Sequence, residues 1–166
     1  MKFASEKDPA AKISEKVSKI IDFVKTIGSD VAYWYFQAIA ETKDVEKAIE
    51  RLTDESVLKF AEAIGSNAAY WYFQAIAETG AVEVLTDDRV LKFAEAIGRE
   101  TAFMSIYGYT LNAAYEYFRA IAETKDIERL TDDSILRFVE AIGSDVVYQY
   151  FRAIAETKDI EKAVER

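Results

Sequence analysis

The phrase Ala-Ile-Ala-Glu-Thr occurs four times in this 166-residue chain, ending at Thr42, Thr79, Thr124 and Thr157. A second phrase lies upstream of each copy and ends at Gly28, Gly65, Gly98 and Gly143; it reads Lys59-Phe-Ala-Glu-Ala-Ile-Gly65 in its second copy. A third, Leu-Thr-Asp followed by Asp or Glu, begins at Leu52, Leu85 and Leu130. The steps between those glycines are 37, 33 and 45 residues, so the base unit has 33. Four residues are added around Glu46–Ile49, and twelve within 99–111. Self-similarity at such a period means stacked units, each unable to bury its apolar face alone.

Each unit reads as a helical hairpin. In the second unit Thr53 is placed to cap a helix, with Asp54 and Glu55 in a first turn where the dipole favours acids. Val57, Leu58, Phe60, Ala61 and Ile64 follow at helical spacing. Gly65 is expected to end that helix in the left-handed conformation, and Ser66 or Asn67 to cap the next, which Gly80 stops. Asp8-Pro9 predicts a first helix from residue 9 to Ile27. No stretch alternates with period two, so no strand is expected. The predicted fold is all-α: four tandem hairpins (9–52, 53–85, 86–130 with an insertion at 99–111, and 131–166) in one domain, as a short α-solenoid or a compact bundle.

The 33-residue period is close to that of tetratricopeptide repeats, and residues 43–49 and 158–164 resemble the start of that family's second helix. Phe36 and Phe151 stand where the family has a small residue, and units two and three lack the Ala-Ile pair. The family's peptide-binding function is therefore not expected here.

The second helix of each unit is apolar on both faces, as in Val31-Ala-Tyr-Trp-Tyr-Phe-Gln-Ala-Ile-Ala40, so it is buried on more than one side. The slots of Tyr33, Tyr35 and Phe36 keep their identity in all four copies and read as structural. The slot of Trp34 and Trp71 becomes Glu116 and Gln149. Since Glu and Gln are rarely fully buried, that slot is expected at the surface, where two tryptophans would form a contact patch. The insertion is the other break in the pattern. It reads as a second helix that starts near 99, breaks at Gly108 and restarts at Asn112, presenting Phe103, Met104, Tyr107 and Tyr109 as an adaptable apolar surface.

Composition narrows the function. There is no cysteine and no histidine. That removes disulfides, thiol nucleophiles, His–Asp triads and His or Cys metal sites. No glycine-rich phosphate loop is present. The recurring Glu41, Glu78, Glu123 and Glu156 are spaced apart rather than converging, so they read as ion-pair partners, Arg119 and Arg152 standing four residues ahead of the last two. Asp87-Asp88 and Asp132-Asp133 read as first-turn acids. An enzyme, a metal or a cofactor is not expected. The net charge of −9 disfavours nucleic acid, and no apolar run suits a signal peptide or membrane span, so a cytoplasmic protein is expected. Sparse proline, absent cysteine and many Glu/Lys pairs are compatible with a thermophilic source, and the near-identical copies with recent duplication or design.

The leading expectation is an interaction or self-assembly module. It would contact another protein or a second copy through Trp34 and Trp71, or through Phe103, Met104, Tyr107 and Tyr109. The alternative is a small apolar ligand held in an aromatic pocket near Tyr107.

Overall fold

The structure is a computed structural model, and it describes residues 9–101, 103–104, 110–142 and 144–160. Among them are eleven packed helices and one short strand pair. The first three copies each contribute two long helices and one short one: α1 (Pro9–Ile27), α2 (Ser29–Ala40) and α3 (Val45–Leu52); α4 (Glu55–Ile64), α5 (Ser66–Thr79) and α6 (Val82–Leu85); α7 (Asp88–Thr101), α8 (Ala113–Thr124) and α9 (Ile127–Leu130). The fourth contributes α10 (Asp133–Ile142) and α11 (Ser144–Thr157). α1 spans the residues expected of it.

The hairpin reading lacks the short third helix; α3 and α9 open on an aspartate cap, whereas α6 has no side-chain cap. Asp44 caps α3 by accepting from the Lys47 amide at 3.1 Å, and Asp126 caps α9 by accepting from the Arg129 amide at 3.2 Å. The Leu-Thr-Asp phrase is the joint that follows. The hydroxyls of Thr53, Thr86 and Thr131 donate back to the carbonyls of Ile49, Val82 and Ile127 at 2.6–2.7 Å. Thr53 is therefore buried at the end of α3 instead of capping α4. The cap falls one residue later. Asp54 accepts from the Ser56 amide at 2.9 Å, and Asp87 and Asp132 do the same for Arg89 and Ser134. These bonds hold the Asp54 and Asp132 carboxyls below the usual range.

Gly28 and Gly65 make the turn between the long helices, but not as left-handed caps. Their φ,ψ values are 98°,164° and 89°,159°, a region essentially reserved for glycine. One residue thus ends one helix and opens the next. The Gly65 carbonyl accepts from the Ala69 amide at 2.9 Å, so neither Ser66 nor Asn67 caps α5. Gly98 behaves differently, because α7 runs through it to Thr101. A Cβ there would lie 3.4 Å from the Ala114 Cβ, at the edge of ordinary van der Waals contact, so α7 and α8 leave room for one.

The second helices stand side by side, α2 on α5, α5 on α8 and α8 on α11. The first helices α1, α4, α7 and α10 each pack on the second helix of their own copy. The core between these layers is aromatic: Phe23, Phe60 and Phe93 from the first helices meet Tyr35, Tyr72, Tyr117, Phe73, Phe118 and Phe151 from the second. Fully burying one such ring contributes about 1.5–3 kcal/mol.

Candidate functional site

The invariant slots of the second helix make one contact three times over. Tyr35 donates its hydroxyl to the Leu52 carbonyl at 2.6 Å, Tyr72 to Leu85 at 2.7 Å and Tyr117 to Leu130 at 2.7 Å. Burial pushes all three hydroxyls well above the ordinary tyrosine range. The rings then reach the next copy. Tyr35 meets Phe73, Tyr72 meets Phe118 and Tyr117 meets Phe151, with centroids 4.8–5.0 Å apart and near edge-to-face, the favoured geometry of aromatic pairs. Phe23, Phe60 and Phe93 meet the same three phenylalanines at 5.9–6.4 Å. In the fourth copy the corresponding residue, Ala163, lies outside the described residues, and the buried Tyr150 hydroxyl has no hydrogen-bond partner among the described ones.

Trp34 and Trp71 are half-buried and sit in a row of rings. Tyr33, Trp34, Tyr70, Trp71 and Tyr115 follow one another with centroids 5.3, 6.1, 5.5 and 6.2 Å apart, each edge-to-face with the next. Each tryptophan bridges the tyrosine of its own helix to that of the next. Beside the row an open cleft of about 430 Å³ is lined by Gly28, Asp30, Asn67, Tyr70, Trp71 and Tyr115. The expectation that this slot lies at the surface in the later copies fails at Glu116, which is 3% exposed. Its carboxylate is held by Arg119 at 3.2 Å, which offsets part of the cost of burying charge. Burial still pushes its pKa up, against the pull of Arg119. Gln149, in the last copy, is exposed.

Arg119 is therefore not available to Glu123 in the way its spacing predicted. Glu123 meets Lys158 at 3.5 Å, and Glu78 meets Lys125 at 3.7 Å, both from one copy to the next. Arg152 and Glu156 do form the expected pair, at 3.0 Å. Among the described residues no group of acids is clustered to hold a metal ion.

The insertion is not the interrupted second helix of the sequence reading. After α7 the backbone forms β1 (Phe103–Met104), paired antiparallel with β2 (Thr110–Leu111). Tyr107, Gly108 and Tyr109 lie outside the described residues. The restart at Asn112 is present. Asn112 caps α8 by accepting from the Tyr115 amide at 3.0 Å, and its amide group donates to the Ile64 carbonyl at 3.2 Å. It thereby ties the third copy to the second.

Large apolar residues are left exposed in the first and fourth copies. Among the described residues they are Val17, Ile21, Tyr33, Phe36 and Val45 in the first copy, and Phe138 and Val146 in the fourth. Phe36 is 47% exposed, whereas its counterparts Phe73, Phe118 and Phe151 are fully buried. Ile21 is exposed where Leu58, Leu91 and Leu136 are buried. At the other end Phe138 is 41% exposed where Phe23, Phe60 and Phe93 are buried, and Val146 is exposed where Val31, Ala68 and Ala113 are buried. Sequence reasoning missed these residues because it classed invariant slots as core. Their position in the first or last copy is the available signal, since within the described residues such a copy packs on one other copy only.

No helix among the described residues is long and apolar enough to cross a membrane. Comparison with known protein families, curated proteins and solved structures finds no match to this chain.

Proposed function

We propose that this chain is a non-enzymatic helical-repeat protein, a short α-solenoid, that acts as a protein–protein interaction or self-assembly module. One observation carries the reading: Tyr33, Phe36, Phe138 and Val146, all in the first or last copy, are large apolar side chains left exposed where most of their counterparts in the other copies are buried. Exposed apolar surface gathered at defined places marks contact sites. The row of rings from Tyr33 to Tyr115 supplies the aromatic anchors that such sites favour, and it includes Trp34 and Trp71. The insertion carrying Phe103, Met104, Tyr107 and Tyr109 remains a second candidate surface.

A photo-crosslinking residue placed at position 33 or 138 in living cells tests this directly. Adducts with protein at either end, and none from the central exposed position 92, are expected. Adducts at neither end would refute the reading.

The cleft beside Trp71 favours a second reading, a small apolar ligand, since about 430 Å³ lies within the usual range of ligand sites. Tryptophan fluorescence titrated with small aromatic compounds tests it, and a flat response across the set would count against it.

A further inference from the structure

We propose that the partner is a second copy of this chain docked head to tail, with the α10–α11 face of one copy receiving the α1–α2 face of the next. The proposal rests on the interaction reading above and names its partner. Its basis is that the two ends carry the two halves of a contact the chain already makes three times. In each internal junction the leading copy offers a phenylalanine from its first helix and a tyrosine from its second. The following copy inserts one phenylalanine between them: Phe73 against Phe23 and Tyr35, Phe118 against Phe60 and Tyr72, Phe151 against Phe93 and Tyr117. At the last copy Phe138 and Tyr150 form the same pair, with centroids 5.2 Å apart; Phe138 is left 41% exposed, and among the described residues no further phenylalanine packs between them. At the first copy Phe36 is the inserting ring, and it is left 47% exposed.

The charges follow the same register. Glu78 and Glu123 meet Lys125 and Lys158 of the copy that follows each. The corresponding acid at the last copy is Glu156, and the corresponding base at the first is Lys43. Glu156 keeps its Arg152 contact, and Lys43 adds to it from the neighbouring molecule. Where Trp34 meets Tyr70 and Trp71 meets Tyr115 inside the chain, Gln149 would meet Tyr33 across the junction. Loss of that tryptophan makes the junction weaker than the internal ones, so assembly depends on concentration. The interface is heterologous, one face type on another, and such contacts grow into rings or open chains.

The test uses two half-blocked proteins. Phe36→Asp disables the inserting end and Phe138→Asp the receiving end. Both sites are partly exposed, and circular dichroism checks that both variants stay folded. Light scattering across a concentration series should show wild-type mass rising above 18.8 kDa. Each variant alone should remain at the protomer mass, its self-association weakened by at least about 30-fold, as for loss of an interface anchor. An equimolar mixture should stop at twice the protomer mass, because it retains one working junction. Should either Asp variant unfold, Lys43→Glu and Glu156→Lys replace them: each alone should weaken assembly a few-fold, and the two combined in one chain should restore it. Wild type that stays at the protomer mass throughout overturns the proposal. In that case end-specific adducts with a different protein would still uphold the interaction reading. A Phe36→Asp or Phe138→Asp variant that still dimerises alone also overturns it, because the contact would then be symmetric.

Discussion

Replacing Tyr72 by Phe deletes one hydroxyl and leaves the ring packed against Phe60 and Phe118. The lost bond, 2.7 Å to the Leu85 carbonyl, is fully buried and closes the C-terminal end of α6. A net hydrogen bond contributes about 1 kcal/mol, and a buried carbonyl stripped of its donor costs about 1–3 kcal/mol. Tyr72→Phe is therefore expected to destabilise by about 2 kcal/mol. For a chain of this size that lowers Tm by about 4–8 °C. Tyr150→Phe removes the corresponding hydroxyl, which is buried without a hydrogen-bond partner among the described residues. That change should be neutral or stabilising by about 1 kcal/mol, because it relieves the desolvation of an unsatisfied group. Thermal and urea unfolding followed by circular dichroism at pH 7 give both numbers from one scaffold. Equal costs for the two substitutions would show that the Tyr-to-Leu bonds are not what holds each short helix to its unit.

Three further outcomes are expected. The hydroxyls of Tyr35, Tyr72 and Tyr117 have folded pKa values raised above their unfolded value of 10.0. Stability should therefore hold below pH 10 and fall above it by about 1.4 kcal/mol per pH unit for each ring. Phenolate absorbance from these rings should appear only with unfolding, and smooth titration in the folded state would count against their burial. Glu116 also has a raised folded pKa, so its stabilising form is the protonated one, and its charge weakens the fold as pH rises toward neutral. Glu116→Gln should be more stable than wild type at pH 7, with the gap closing in acid; a gap unchanged with pH would contradict this. Gly65→Ala should cost about 1–3 kcal/mol through backbone strain alone, since nothing lies within 4 Å of the added Cβ. Gly98→Ala, inside a helix, should cost nothing and gain up to about 1 kcal/mol; the reverse order in urea midpoints would refute both assignments.

What was legible in the sequence follows from which interactions repeat. The four copies, the helical class and the span of α1 could be read from spacing because each rests on local periodicity. The short helices α3, α6 and α9 were hidden because two of them have only four residues, too few to show a period. Thr53 looked like an N-cap because threonine can bond forward or backward, and only the structure shows it bonding back to Ile49. Glu116 was assigned to the surface by residue type, a rule that fails once an arginine is close enough to pair with the carboxylate. Trp34 and Trp71 stand out in the sequence because their slot varies from copy to copy. Phe36 and Phe138 were passed over because a conserved slot in an end copy has the same sequence as a buried one but a different neighbour.

The unequal short helices have a consequence for how such a chain can grow. α3 has eight residues where α6 and α9 have four, yet Leu52 still delivers its carbonyl to Tyr35 as Leu85 does to Tyr72. Four residues are one helical turn plus about 40°, a step of about 6 Å along the axis. The extra turn thus extends α3 away from the anchored leucine and leaves the joint in register. Next to it lies a groove of about 700 Å³, lined by Lys43, Asp44, Lys47, Gly80 and Glu83. These joints work as adjustable spacers: adding or removing whole turns reshapes the rim of the molecule and leaves the stacking of its copies unchanged.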